Sequence, residues 1–284
     1  MEARFPDLTE FTHIGVVDMS AEELVACIDF TYISDMITPA EAVELLRGKE
    51  PGREDREKEM LEQGFPAYTT STGWLGYEDD KIRDLCSRAI DEGWSHIKIK
   101  VGADLEDDIR RSSIIREMIG SERQLMLDAN QVWDVPDAIT WMESLAEFEP
   151  WFIEEPTSPD DILGYAAIAR AVDPIKVAGG EACQNRVTFK QMMQSGGLGV
   201  CQIDSCRIAG PSEIFSVLLM AAKNDIKVCP HAGGVGLCEY VRHLSMIDYC
   251  CFASSLEGRI CESTTHLHQF FEDADPMFRK DDVS

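Results

Sequence analysis

The chain has 284 residues, 44% hydrophobic and 27% charged, with 26 basic against 52 acidic side chains and a formal net charge of −26. That balance argues against nucleic-acid and anionic-membrane partners, both of which need basic surface, so no nucleic acid and no membrane is expected as a partner. No apolar run approaches the ~20 residues that span a bilayer, and the ten cysteines, without a C-x-x-C pair, read as buried reduced thiols rather than a disulfide framework. The acidic opening MEARFPDLTEF has neither a signal h-region nor a transit pattern. An intracellular protein, cytoplasmic or mitochondrial, is the expectation.

In chain order, Ser20 with Glu23 has capping-box spacing and predicts a helix through Leu24–Ile28. Thr38-Pro39 opens another through Leu46. The polar stretch Gly48–Lys58 reads as a solvated linker or helix face. From Pro66 short β-like runs alternate with amphipathic helices: AYTT (67–70), HIKIKV (96–101), QLMLD (124–128), WFIE (151–154), IKVAG (175–179), VCQID (200–204) and IKVCP (226–230), with CFASS (251–255) as the eighth strand. The intervening helices fall at 80–92, 105–119, 136–147, 160–171, 187–194, 212–224 and 237–248. Such alternation without a GxGxxG fingerprint predicts an α/β fold, a TIM-like (β/α)7β barrel rather than an open doubly wound sheet.

In a barrel, chemistry sits where the strands end. On HIKIKV, period-2 alternation places His96, Lys98 and Lys100 on one face. If that face lines a closed interior, each ammonium disfavours the other's charge and one pKa falls toward neutrality, as a general base requires; on an edge strand the same pattern is a solvated lysine face. Asp128 and Glu154 end the third and fourth strands, and Glu181 follows the fifth. Asp204 ends the sixth, His231 follows the seventh, and Glu262 lies beyond the eighth. A lone acid at a strand end is often a helix N-cap, and Asp128 or Asp204 can be that. Three successive acids, however, repel one another unless a cation sits among them. An all-oxygen set suits Mg²⁺, and the absence of Cys and His argues against Zn²⁺. Across the barrel Asp204 can fix the tautomer of His231.

The blocks VACIDFTYISD, PAYTTSTGWLGY, KIKVGADLEDD, LMLDANQVWDVP, WFIEEPTSPDDILG, NRVTFKQ, QIDSCR, CPHAGGVGLCE and HLHQFF make the chain resemble the enolase superfamily, in its mandelate racemase-like branch. Within that branch it is most similar to the L-fuconate dehydratases and their eukaryotic mitochondrial relatives, over roughly residues 17–271. The resemblance implies a Mg²⁺-dependent acid-sugar dehydratase taking a small-molecule sugar acid, L-fuconate, to 2-keto-3-deoxy-L-fuconate and water. It implies Mg²⁺ on Asp128, Glu154 and Glu181, and Lys100 as the base at C2 with Lys98 lowering its pKa. His231, oriented by Asp204, would be the acid at the leaving hydroxyl. Glu262 would be a protonated donor to the substrate carboxylate, and Asn130, Trp74 and Tyr77 would contact substrate, the two aromatics having ordinary loop packing as their alternative. A racemase or epimerase of the same superfamily, or an inactive barrel with a binding or regulatory role, are the competing readings. Set against that resemblance, most of the family's N-terminal α+β cap is expected to be missing. Residues 1–65 are expected to be a remnant of it with linker helices, 66–262 the catalytic barrel and 263–284 a short tail, as in a fragment or isoform. The barrel surface left uncovered would suit a homo-oligomer.

Overall fold

A computed structural model describes residues 13–234, 237–264 and 278–279. Four helices come first: α1 (His13–Val17), α2 (Ala21–Ala26), α3 (Pro39–Lys49) and α4 (Arg53–Gln63). The expected capping box of Ser20 with Glu23 forms, and the helix opened by Thr38-Pro39 carries a second one, Thr38 with Glu41, so the first backbone N–H groups of α2 and α3 find side-chain acceptors. Of the two readings of Gly48–Lys58, linker or helix face, the helical one holds for most of it: the stretch is the end of α3, a short turn and the start of α4. Met60 is the buried residue of α4, so the sequence REDREKEMLEQ carries almost no apolar period. These helices pack on the outside of the C-terminal half: Lys49 Nζ donates to Ala253 O (3.2 Å), Arg56 Nη2 to Cys250 O (2.8 Å), and Tyr249 OH to Glu59 (2.8 Å).

The rest is strand–helix alternation: β1 (Phe65–Gly73), α5 (Asp79–Asp91), β2 (His96–Lys100), α6 (Leu105–Ile119), β3 (Gln124–Asp128), α7 (Val135–Leu145), β4 (Phe152–Glu154) and α8 (Ile162–Val172). β5 (Lys176–Gly179), α9 (Arg186–Gln194), β6 (Val200–Cys201), α10 (Pro211–Lys223), β7 (Lys227–Val228), α11 (Leu237–Ile247) and β8 (Cys261–Ser263) follow. The eight strands are parallel, in the order β7-β6-β5-β4-β3-β2-β1-β8, and a short β9 (Phe278–Arg279) pairs with the start of β1. No ladder joins β7 to β8 among the described residues; there the ring is joined by Ala232 N–H donating to Glu262 Oε2 (2.9 Å) and Thr264 Oγ1–H to Ala232 O (3.2 Å).

Inward residues from around the ring meet in one layer: Tyr68, Met126, Phe152, Ala178, Val200, Cys229 and Ile260. β2 contributes Lys98 to this interior, its ammonium 5.3 Å from the centre of the Tyr68 ring. Outward residues such as Ile97, Ile99, Leu125, Leu127 and Ile153 belong to the larger core under the helices, each worth about 1.5–3 kcal/mol when fully buried. The alternation read from HIKIKV is therefore the division between barrel interior and helix layer.

One strand assignment is corrected. CFASS is not the eighth strand: its first three residues continue α11 as a π-helical turn, Asp248–Ala253, and the eighth strand is CES, Cys261–Ser263. A short apolar run does not distinguish strand from buried helix by period alone. Glu262 thus lies within β8, not beyond it. Residues 1–12 and the block HLHQFF lie outside the described residues. Every cysteine is a free thiol, and eight of the ten are buried. Among the described residues no helix is long and apolar enough to cross a membrane.

Candidate active site at the barrel mouth

Strand register builds the first half of the site. Lys100 pairs with Asp128, and Asp128 with Glu154, so three functional side chains stand side by side on the inner face. Lys100 Nζ donates to Asp128 Oδ2 at 2.5 Å. Lys98, one layer deeper and 1% exposed, reaches Glu154 Oε2 (2.6 Å), Glu262 Oε1 (3.1 Å) and Asp128 Oδ2 (3.4 Å). Glu181 reaches the mouth because the chain turns at Gly180, with φ of +124°. A Cβ there would lie 2.6 Å from Phe189 and 3.1 Å from Gln202 O, so only glycine fits.

The second half is a dyad. Asp204 and His231 form a parallel bridge beyond β6 and β7, and Asp204 Oδ2 meets His231 Nδ1 at 2.6 Å. Oδ1 of Asp204 accepts from the backbone N–H groups of Cys206 (2.7 Å) and Arg207 (3.0 Å), so the acid caps its own turn while fixing the imidazole. His231 Nε2 faces Glu181 Oε2 (3.5 Å) and Glu262 Oε2 (3.8 Å). Glu262 therefore touches Lys98 on one side and His231 on the other, linking the halves. A cavity of about 490 Å³ opens beside the dyad, lined by Asp204, Arg207, His231, Gly233 and Tyr240 among others.

Charge balance decides the protonation states. Burial works against the Lys98 ammonium, but Glu154, Glu262 and Asp128 outweigh it and hold its pKa well above the usual lysine value. Lys98 thus stays cationic, as a residue that places a positive charge beside Lys100 must. Burial raises the Asp128 carboxyl, yet Lys98, Lys100 and the Asn130 N–H bring its pKa below the usual range. Glu154 goes the other way, to about 8, driven by burial and the charge of Asp128 against Lys98. For Glu262 burial is again opposed, by Lys98, by His231 and by the Ala232 N–H, and its pKa is lowered. The expected protonated donor is thus held as an anion. Burial disfavours the His231 imidazolium, but its bond to Asp204 and the charges of Glu262, Glu181 and Glu154 lift its pKa to about 9.

Among the described residues no three acids, imidazoles or thiols have the spacing of a ready metal site. The carboxylates are drawn elsewhere: Lys98 and Lys100 hold Asp128 and Glu154, and Arg207 Nη1 takes Glu181 Oε1 at 2.7 Å. The donor set nonetheless fits a hard divalent cation. Asp128, Glu154 and Glu181 offer oxygen only, and Glu154 Oε1 is buried without a hydrogen-bond partner.

The substrate-contact candidates are placed less centrally. Asn130, with φ of +47°, turns its N–H back to Asp128 Oδ1 (3.0 Å). Trp74 stands on the loop after β1 and donates its indole N–H to Thr70 O (2.7 Å). The Tyr77 ring lies under Lys81 Nζ, 3.5 Å from its centre, a local loop contact. Sequence reasoning missed Glu155, buried, gripped by Gln131 Nε2 (2.8 Å) and pushed to about 7 by burial and by Glu181. It also missed Arg207 and Tyr68. The second acid of FIEEP and the Arg three residues after Asp204 were the available signals; for Tyr68 there was only its place on an inward face.

Residues 81–282 match the family model described as Enolase C-terminal domain-like. By sequence the chain is 57% identical over 259 residues to human mitochondrial enolase superfamily member 1, and 52% identical over 261 residues to the L-galactonate dehydratase of Hypocrea jecorina. Each alignment covers 90% of this chain and 58% of the relative, so the chain spans little more than half the length of the curated proteins it matches. The crystal structure of the human protein superposes with a TM-score of 0.89 at 54% identity, covering 95% of this chain and 62% of that one. A mutant L-talarate/galactarate dehydratase liganded with Mg and L-glucarate gives a TM-score of 0.67 at 25% identity, covering 96% of this chain and 64% of that one.

Proposed function

The chain belongs to the enolase superfamily, and from that premise we propose that it is an acid-sugar dehydratase, removing the proton α to a carboxylate and expelling the β-hydroxyl as water. The observation that carries this reading is the linkage of Lys98, Glu262 and His231 across the mouth, which sets a lysine pair opposite a histidine acid. Lys100 stands at the open end of β2 and takes the C2 proton. Lys98, kept cationic by its acids, offers a positive charge to the substrate carboxylate as electron density moves onto it. His231 is protonated at neutral pH and is steadied by Asp204, the state and orientation an acid needs to protonate the departing C3 hydroxyl. The C2–H and C3–O bonds break, water leaves, and the enol gives up its O–H proton as C3 takes one, to give the 2-keto-3-deoxy acid. Glu262, an anion, does not donate to substrate; it holds Lys98 and His231 in mutual register. Mg²⁺ held by Asp128, Glu154 and Glu181 would supply Lewis-acid stabilisation of the charge gathering on the substrate carboxylate.

For the substrate we propose L-fuconate. It is L-galactonate without the 6-hydroxyl, and the Hypocrea relative is named for L-galactonate. The test is to incubate the chain with each acid and Mg²⁺ and assay 2-keto-3-deoxy product with semicarbazide. Product from L-fuconate supports the assignment. Product from L-galactonate alone moves the substrate, and exchange of the C2 proton without elimination makes the chain an epimerase.

A further inference from the structure

Behind β2, on the face away from the site, lies a buried ion pair that the proposed chemistry does not use. Arg111 on α6 is 0% exposed, as is Asp108 one turn earlier. The Arg111 guanidinium donates to Lys100 O (2.7 Å), Gly73 O (3.2 Å) and Asp107 Oδ2 (2.7 Å), and its remaining nitrogen pairs with Asp108 Oδ1. The other oxygen of Asp108 accepts from Gly102 N–H (2.6 Å) and from the Trp141 indole (3.0 Å). The backbone is thus gripped on both sides of Val101, at the carbonyl of Lys100 and at the amide of Gly102. Gly102 has φ of +108°, and a Cβ there would come 2.5 Å from Val132, so the chain leaves β2 along one permitted path. Arg111 also ties that point to the end of β1, whose Gly73 packs so closely on Ile99 that a Cβ would lie 2.5 Å away.

A buried ion pair seldom adds net stability over an apolar pair of the same volume. This one satisfies carbonyl and amide groups at the point from which a catalytic side chain springs. We propose that Arg111, with Asp108, is a positioning residue for Lys100: helix α6 reaches back and fixes the backbone that aims the base. The inference rests on Lys100 being the base, and it extends that reading to a residue that touches no substrate.

Arg111→Lys keeps the charge but loses the fork that serves Lys100 O, Gly73 O and both aspartates together. The control is Arg116→Lys. Arg116 is on the same helix and binds Gly120 O, Phe148 O, Arg123 O and Glu149 O at 2.7–3.1 Å, at the end remote from the site. Two readouts are taken on the full chain. The first is acetylation of Lys100 by N-hydroxysuccinimidyl acetate, followed by peptide mass spectrometry; the second is kcat and KM on L-fuconate with Mg²⁺. Arg111→Lys should speed Lys100 acetylation about fivefold, as the ammonium leaves Asp128 more often. It should lower kcat about tenfold or more with KM within about threefold, since a displacement near 1 Å can cost that much. Arg116→Lys should lose comparable thermal stability and move neither readout by more than about twofold. Equal effects from both variants, or unchanged Lys100 acetylation in Arg111→Lys, would overturn the proposal. Should Arg111→Lys fail to fold, Asp108→Asn takes its place: it keeps an oxygen for Gly102 but gives up the charge on Arg111, and should show faster Lys100 acetylation and faster Gly102 amide exchange. No acceleration in either refutes the positioning role. A chain without acid-sugar turnover leaves the acetylation result decisive, so failure of the dehydratase reading and failure of this one are distinguishable.

Discussion

Replacing Lys98 by Met tests the electrostatic frame of the site. The side chain keeps its length, but Glu154, Glu262 and Asp128, at 2.6, 3.1 and 3.4 Å from Nζ, lose their shared cation. Removing one partner from a buried ion pair costs about 3–5 kcal/mol. For a domain of this size each kcal/mol moves Tm by about 2–4 °C, so a fall of about 6–20 °C is expected. The acids then relieve their repulsion by binding protons, so their folded-state pKa values rise above the unfolded ones. A group of that kind binds more protons in the folded state, and stability falls as pH rises through the window from the unfolded to the folded pKa. The deficit against wild type should therefore be small near pH 5 and grow toward pH 8. Millimolar Mg²⁺ should recover more Tm in Lys98→Met than in wild type, because a dication replaces the lost charge among the same oxygens. Thermal melts by circular dichroism across that pH range, with and without MgCl₂, provide the measurement. A deficit independent of pH, or a melt unchanged by the substitution, refutes the reasoning.

Gly233→Ala should act on the dyad directly: a Cβ there would stand 2.6 Å from His231 Nε2. Acid-sugar turnover should fall by about tenfold or more with little loss of Tm, and an unchanged kcat contradicts His231 as the acid. Glu41 accepts from Lys223 and from the Thr38 N–H, which together lower its pKa from 4.5 to about 2. Its contribution is present above 4.5 and lost as pH falls through about 2, so Glu41→Gln should flatten the difference in Tm across that window, as paired acid melts will show. Iodoacetamide on the native chain should label Cys27 and Cys206, the two exposed thiols, well before the eight buried ones; labelling of Cys86, whose pKa burial pushes to about 12, at a similar rate would contradict the packing of the barrel wall.

Much of this site was legible in the sequence because strand geometry converts spacing into position. Lys98 and Lys100 two apart, and acids at successive strand ends, need only the period of 2 and parallel register to meet, and both hold. The failures have equally local causes. β8 is three residues long and carries a buried charge, so no alternation announced it, while the apolar CFASS imitated a strand from inside a helical turn. α4 presents one buried residue, so its charges left linker and helix face undivided in the sequence. The protonation state of Glu262 was misjudged because it depends on Lys98, His231 and the Ala232 N–H, brought from other strands. Arg111 was hidden for the same reason: beside Asp107 and Asp108 on its own helix, it binds the carbonyls of Gly73 and Lys100, which leave no mark in a sequence.

The central claim is that this chain's own residues abstract a proton α to a carboxylate and eliminate the β-hydroxyl. The most direct measurement is proton NMR of L-fuconate incubated in D₂O with the full chain and Mg²⁺, beside Lys100→Ala. With wild type the C2 and C3 signals should disappear as 2-keto-3-deoxy-L-fuconate forms, and with the variant the spectrum should not change. An intact substrate spectrum with wild type, or product formation undiminished in Lys100→Ala, would contradict that claim.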